Sequence, residues 1–241
     1  MKFKKTLITC SNSGIAEAII KKLKENSFDV TKATRNPIAN EYKLDFFDNE
    51  SIDNAVKMFC DSSKRFNSFV FIIPRIPASN NPLPSCTEWK EHLDHYFVKP
   101  MRFLTALINN KILNENAKVV MIGGITSKQA ISNYAFNNVL RTMWISEFKT
   151  LALSFSTMSF NTVSLGGVLT DTYVDKIKVM ATNNNVSFEE QLAQDVSNVP
   201  MRKYALPSDV ADVVVPLCDS FANHLTGQNI VVDGGFIRAY N

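Results

Sequence analysis

The sequence contains no run of about 18 apolar residues, so no stretch of its 241 residues reads as a membrane-spanning helix. The apolar stretch behind the basic start MKFKK is only about four residues, short of the roughly 7–15 of a signal-peptide core. No Pro-, Gly- or Ser-rich linker divides the chain and no repeat recurs in it, so one domain over residues 1–241 is expected. Charge of one sign is not gathered anywhere. The 26 Lys and Arg offset 23 Asp and Glu to a net +3, and the basic KKLK run is soon followed by the acidic DFFDNESID. A nucleic-acid binder concentrates its Lys and Arg on one face or in one block, so no nucleic-acid partner is expected. The cysteines, Cys10, Cys60, Cys86 and Cys218, lie far apart, lack metal-ligand spacing and read as free thiols of a reducing compartment. His92, His95 and His224 are scattered and read as surface residues rather than ligands, and no metal is expected. Together these absences predict a soluble, cytoplasmic protein.

What is present is material for a full core: 45% of the residues are hydrophobic and 10% aromatic. Leu7 and Ile8 end a short apolar strand, Ser11, Asn12, Ser13 and Gly14 supply a turn, and Ile15, Ala16, Ile19, Ile20 and Leu23 recur at helical spacing. Strands are read around residues 29–34, 44–46, 69–73, 118–122, 161–165 and 230–233. Helices are read over 51–59, 89–107, after Gly123-Gly124 to about Phe155, and 208–218, with Pro100 expected to kink the second and Pro216 to cut into the last. Residues 169–199 are polar and partly helical, broken at Asn183, Asn184 and Asn185. Strand alternating with helix predicts an α/β fold with a doubly wound parallel sheet of Rossmann type, and ligands in such sheets bind beyond the carboxyl ends of the strands.

The C-terminal stretch is the most specific. Val199-Pro200-Met201-Arg202, Pro207-Ser208-Asp209-Val210-Ala211 and Leu225-Thr226-Gly227-Gln228 through Val231-Val232-Asp233-Gly234-Gly235-Phe236 resemble, in order and spacing, the short-chain dehydrogenase/reductase superfamily. The resemblance covers essentially the whole chain. Asn161 to Gly166 resembles the family's strand-six motif, and Trp89 with Asp94 the start of its long interface helix.

The resemblance implies a dinucleotide contacted by Ser11, Ser13, Gly14, Ile15 and Ile72, by Arg35, Asp45 and Phe46 toward the adenosine, and by Arg141, Gly166 and Thr170 toward the nicotinamide. The family's Thr-Gly-x-x-x-Gly-x-Gly loop reads here Thr9-Cys10-Ser11-Asn12-Ser13-Gly14-Ile15-Ala16, so only the middle glycine remains. A strand–helix turn that holds no nucleotide is the other reading of that loop. The second strand ends Thr34-Arg35 without an acid to hold a ribose 2′-hydroxyl, whereas an Arg suits a 2′-phosphate. NADP(H) is therefore expected rather than NAD(H), unless Arg35 is simply a solvated surface residue.

Aligned with the family, Gly124 falls on its catalytic Ser, Asn137 on the Tyr, Arg141 on the Lys and Tyr96 on the Asn; all four have changed. The enoyl-[acyl-carrier-protein] reductase branch uses Tyr-x6-Lys instead, and Tyr134 and Arg141 have that spacing. Residues 130–134, the 66–77 segment and the ending Val232 to Phe236 also look similar to that branch. Seven residues are close to two helical turns, so Tyr134 and Arg141 are expected on one face of one helix. There a phenol would donate to a substrate carbonyl beside a cation; alternatively Tyr134 is a packed core residue.

The leading expectation is an NAD(P)H-dependent oxidoreductase reducing a carbonyl or enoyl substrate, with residues 169–199 as its lid by resemblance. A catalytically inactive ligand sensor or scaffold is the second, and a module meeting an acyl carrier or RNA, supported only by the mild basic charge, the third. Apolar residues over more than one stripe of the two long helices, including Phe97, Phe103, Met143, Trp144 and Phe148, predict a homo-oligomer, a tetramer or at least a dimer.

Overall fold

Leu7 and Ile8 are neighbours in β1 (Lys4–Thr9), and strand geometry sends their side chains to opposite faces, where each joins a different core. The same holds for Phe69 and Val70 in β4 (Phe66–Phe71). A computed structural model describes residues 4–239. Its other strands are β2 (Phe28–Thr34), β3 (Tyr42–Lys43), β5 (Leu113–Gly124), β6 (Ser159–Leu165) and β7 (Asn229–Val232). All seven pair in parallel in the order β3-β2-β1-β4-β5-β6-β7, a Rossmann-type sheet whose strand order reverses between β1 and β4.

One face is covered by α1 (Gly14–Glu25) and α8 (Pro207–Leu217), which bring Ile19, Leu23, Val210 and Val214 against Ile8, Val70 and Val120. The other is covered by α2 (Asn49–Asp61), α4 (Lys99–Asn109) and α5 (Ala135–Ser154) and is strongly aromatic. Phe46 meets Phe71 and Phe103 edge-on, and Trp144 meets Phe71 at 5.4 Å and 87°. Edge-to-face packing places the positive rim of one ring on the negative face of the next. Segment 169–199 folds as α6 (Asp171–Asn184) and α7 (Phe188–Asp195), broken where expected by Asn185 in the left-handed conformation.

The expected helix at 89–107 is corrected in detail. It is α3 (Cys86–Leu93), a π-helical turn over Asp94–Val98, then α4 with Pro100 near its start. The disturbance is therefore a widened turn before the proline. Pro100 has no N–H to give the carbonyl four residues back, and the Trp144 indole takes that role, donating to Tyr96 O at 2.9 Å. The surplus apolar residues of the long helices are also accounted for inside the subunit. Phe103, Trp144 and Phe148 are buried in the core, and Phe97 and Met143 pack against it. Val98, Val139 and Leu153 are the apolar residues these helices leave exposed.

Trp144→Phe leaves the Tyr96 carbonyl without its donor and opens a gap among Phe71, Phe97 and Phe148. It should cost about 2–4 kcal/mol, read as a lower denaturant midpoint with an unchanged slope. An unchanged midpoint would show that the indole bond carries no weight.

Candidate active site

At the switch point Thr9 joins the two diverging strands. Its hydroxyl donates to Ile72 O at 2.7 Å and accepts from Ile72 N at 2.9 Å, so both polar groups of Ile72 are engaged. Beyond this clamp the chain turns through Cys10 at φ 48°, a left-handed position where the family carries glycine. A side chain there costs roughly 1–2 kcal/mol, and the turn is held by Ser13 N on Cys10 O and Ser11 N on Ala33 O. Burial pushes the Cys10 thiol up to about 12, with Arg35 opposing and Asp45 adding to the effect. The thiol is thus protonated at neutral pH and is no nucleophile.

Ser13 caps α1 by accepting from Ala16 N, and its own proton remains available. The Gly14 and Ile15 N–H groups meet no acceptor among the described residues, which is the donor set an anion finds at a helix start. A side chain at Gly14 would contact Thr170, so the loop after β6 closes over this point. Ser11 is buried. Asp45 accepts from Phe47 N at 2.9 Å and stays partly exposed, whereas the Phe46 ring lies in the aromatic core and can offer a ligand only its backbone. Arg35 is exposed and has no ion-pair partner among the described residues. Gly166 serves packing: a Cβ there would lie 2.9 Å from Asp233 Cα.

The structure brings Gly124, Arg141 and Tyr134 together at the carboxyl end of β5, with one correction. Tyr134 is not on a helix face with Arg141; it is the residue before α5, at φ −135° and ψ 43°. The Asn138 side chain explains why. Its amide donates to Ile131 O and accepts from Ile131 N, at 3.0 and 3.2 Å, holding 131–134 as a turn that cannot continue the helix. The Arg141 guanidinium fills the space of the missing side chain at 124, where any Cβ would overlap it, and donates to Thr126 Oγ1 at 3.4 Å. Burial lowers Arg141 to about 10; the Tyr134 phenol opposes that shift and Arg75 adds to it. The group is still a cation at neutral pH. Asn137 is buried with its amide on Pro77 O at 2.9 Å, and Tyr96 is buried in the π-helical turn.

Sequence reasoning missed a cluster in and beyond segment 169–199. Tyr173 of α6 and Tyr204 both donate to Asp195 Oδ2, at 3.1 and 3.0 Å, and the Tyr204 ring occupies the space above Gly167. Burial raises both phenols, and Tyr134 is near enough to add to the effect on Tyr173. No spacing in 169–204 announces this arrangement. Two histidines differ from their surface reading: His92 stacks on Phe136 at 3.6 Å, and His95 packs beside Phe47 at 4.9 Å. The described residues contain no cluster of His, Cys, Asp or Glu able to hold a metal, and no helix long and apolar enough to cross a membrane.

Residues 10–237 match the family described as Enoyl-(Acyl carrier protein) reductase. The chain belongs to the short-chain dehydrogenase/reductase superfamily. That superfamily comprises NAD(P)-dependent reductases, and the comparisons agree with it over the full length. The 3-oxoacyl-[acyl-carrier-protein] reductase of Buchnera aphidicola subsp. Acyrthosiphon pisum is 24% identical over 242 residues, 95% of each chain. A short chain dehydrogenase family protein of Francisella tularensis superposes with a TM-score of 0.83 at 24% identity, covering 98% of this chain and 99% of that one. L-sorbose reductase of Gluconobacter frateurii, solved with NADPH and L-sorbose, gives 0.87 at 18% identity over 99% and 98%.

The four free thiols should separate cleanly by burial. With a disulfide reagent near about pH 8, exposed Cys86 should react first, half-buried Cys60 next, half-buried Cys10 slowly because its pKa is raised, and buried Cys218 only after denaturation. Burial raises Cys218 to about 12 as well. Fast labelling of Cys10 in the folded protein would contradict the site as described.

Proposed function

We propose that this chain is an NADPH-dependent reductase of a carbonyl or enoyl compound in which Tyr134 gives the proton and Arg141 supports the developing oxyanion. The observation that carries the reading is the part-buried Arg141 guanidinium lodged over Gly124, with the Tyr134 phenol near enough to act on its charge. Bound cofactor supplies the hydride. The chain's own residues do the rest. The α1 start with Ser11, Ser13, Gly14 and Ile15 takes the pyrophosphate, and Thr170 and Gly166 border the nicotinamide side. Ile72 lends backbone to the floor, while Asp45 and the Phe46 backbone face the adenosine. Arg35, free of any ion pair among the described residues, favours a 2′-phosphate. The crystallised relatives with NADPH support the cofactor class. The protein is read as cytoplasmic and as a single domain.

One assay tests chemistry and cofactor together: NADPH and NADH oxidation against enoyl thioesters and ketones. Tyr134→Phe should lower turnover about 100- to 1,000-fold with cofactor affinity unchanged, as when one oxyanion donor is removed. NADPH should bind about tenfold or more tightly than NADH, and Arg35→Ala should erase that preference. Equal affinities would remove the cofactor assignment.

A non-catalytic ligand sensor or scaffold is the second reading, favoured by Asn137, whose amide is committed to the 76–77 carbonyls at the position of the family's tyrosine. Nucleotide binding without turnover on any substrate, unaffected by Tyr134→Phe, would select it. We also propose a homodimer or homotetramer, assembled over exposed Val98, Val139 and Leu153 of the long helices. Light scattering at micromolar concentration should then give a multiple of 27.1 kDa, and a monomer mass would end the proposal.

A further inference from the structure

The backbone on both sides of Arg35 is tied down. The carbonyls of the two residues before it are engaged: Ala33 O accepts from Ser11 N at 3.4 Å and Thr34 O from Leu44 N at 2.8 Å. The carbonyl of the residue after it, Asn36 O, accepts from the Asn12 side-chain amide at 3.1 Å. Asn12 belongs to the turn before α1, so this bond straps that turn to the loop that leaves β2. Pro37 follows, fixing its own φ and confining Asn36 to extended backbone. The far end of the loop closes on Glu41. One carboxylate oxygen accepts from Ile38 N at 3.1 Å, the other pairs with Lys32 of β2, and Glu41 N donates to Ile38 O at 3.1 Å. Asn40 supplies the left-handed residue of this turn, at φ 68°. The Glu41 side chain is only 2% exposed, although residues 35–40 lie on the surface. Ser11, Asn12, Lys32, Ile38 and Glu41 border one groove of about 580 Å³, where Lys32 neutralises the carboxylate. Arg35 itself is exposed and has no ion-pair partner among the described residues.

The geometry points to Asn12 and Glu41 as positioning residues that set the preference for NADPH, acting through Arg35. The inference rests on the cofactor assignment proposed above and names the residues that make it selective. Neither side chain has to touch the nucleotide. A surface arginine surrenders rotamer freedom when it grips a phosphate, and the cost falls when the backbone it departs from is already fixed. The Asn12 strap and the Glu41 closure supply that fixity from opposite ends of the 35–41 loop. The turn before α1 keeps its own bonds without the Asn12 side chain, Ser13 N on Cys10 O and Ala16 N on Ser13 Oγ. The part of the site common to both nucleotides is therefore left in place, and the effect falls on the one group by which they differ, the 2′-phosphate.

The test is binding, so it is independent of turnover. Calorimetry at one salt concentration compares NADPH with NADH, and adenosine 2′,5′-bisphosphate with AMP as probes of the adenosine end alone. Wild type should favour the 2′-phosphorylated member of each pair, and Arg35→Ala should erase the difference. Asn12→Ala and Glu41→Ala should each lower the preference about 2- to 10-fold, the cost of ordering one long side chain, with NADH and AMP affinity unchanged. Glu41→Gln, whose amide oxygen still accepts from Ile38 N, should keep most of the preference. In an Arg35→Ala background neither alanine should change the ratio further, because both act through the guanidinium. A preference untouched by both alanine variants, an equal loss of NADH and NADPH binding, or a further change in the Arg35→Ala background would overturn the inference and leave the cofactor reading standing. A wild type that binds both nucleotides alike, binds neither, or is indifferent to Arg35→Ala would remove that reading and the inference with it.

Discussion

The hydroxyl of Thr9 replaces one rung of the sheet. The β1–β4 ladder ends at Ile8 and Val70, and Thr9 then holds both backbone groups of Ile72 with its side chain. A parallel sheet whose order reverses must open a crevice at that point, and the crevice needs a fixed floor. Thr9 fixes it from within, since a hydroxyl both donates and accepts. The turn at Cys10, the start of α1 and the loop that follows β4 all depart from this rung. Their relative placement decides where the unpaired N–H groups at the start of α1 lie with respect to Tyr134 and Arg141.

Much of the fold was legible because the strands are short, apolar and punctuated, and because Asn and Pro mark the breaks they are expected to mark. Asn185 ends α6, and Pro207 opens α8. Less legible was whatever depended on a partner distant in sequence. Pro100 announced a disturbance, but not its form as a π-helical turn, nor that Trp144 of another helix would serve the Tyr96 carbonyl. The apolar surplus of the long helices suggested a second face, yet Phe103, Trp144 and Phe148 are consumed by the phenylalanine-rich side of the sheet.

The site divides in the same way. The strand, turn and start of α1 could be read from motif and spacing. That Tyr134 lies outside the helix could not, because Asn138 bonds back seven residues to hold the turn. The Tyr173–Asp195–Tyr204 cluster had no signal at all, since it joins residues of α6, α7 and the strand-like return beyond them. A glycine at 124 looked like a simple loss of a catalytic hydroxyl. In three dimensions it is the space into which Arg141 folds.

That exchange of volume has a consequence for how the sequence can change. A serine at 124 and an arginine at 141 claim the same cubic ångströms, so the two cannot coexist without displacement. Return toward the superfamily's ordinary pair is therefore a path with an order to it. Shortening Arg141 to lysine first vacates the space and leaves a cation in place, while adding the serine first forces the guanidinium out. The two positions share one volume, and because what a side chain at 124 would meet is the far end of a flexible arginine, it is the guanidinium that has to move.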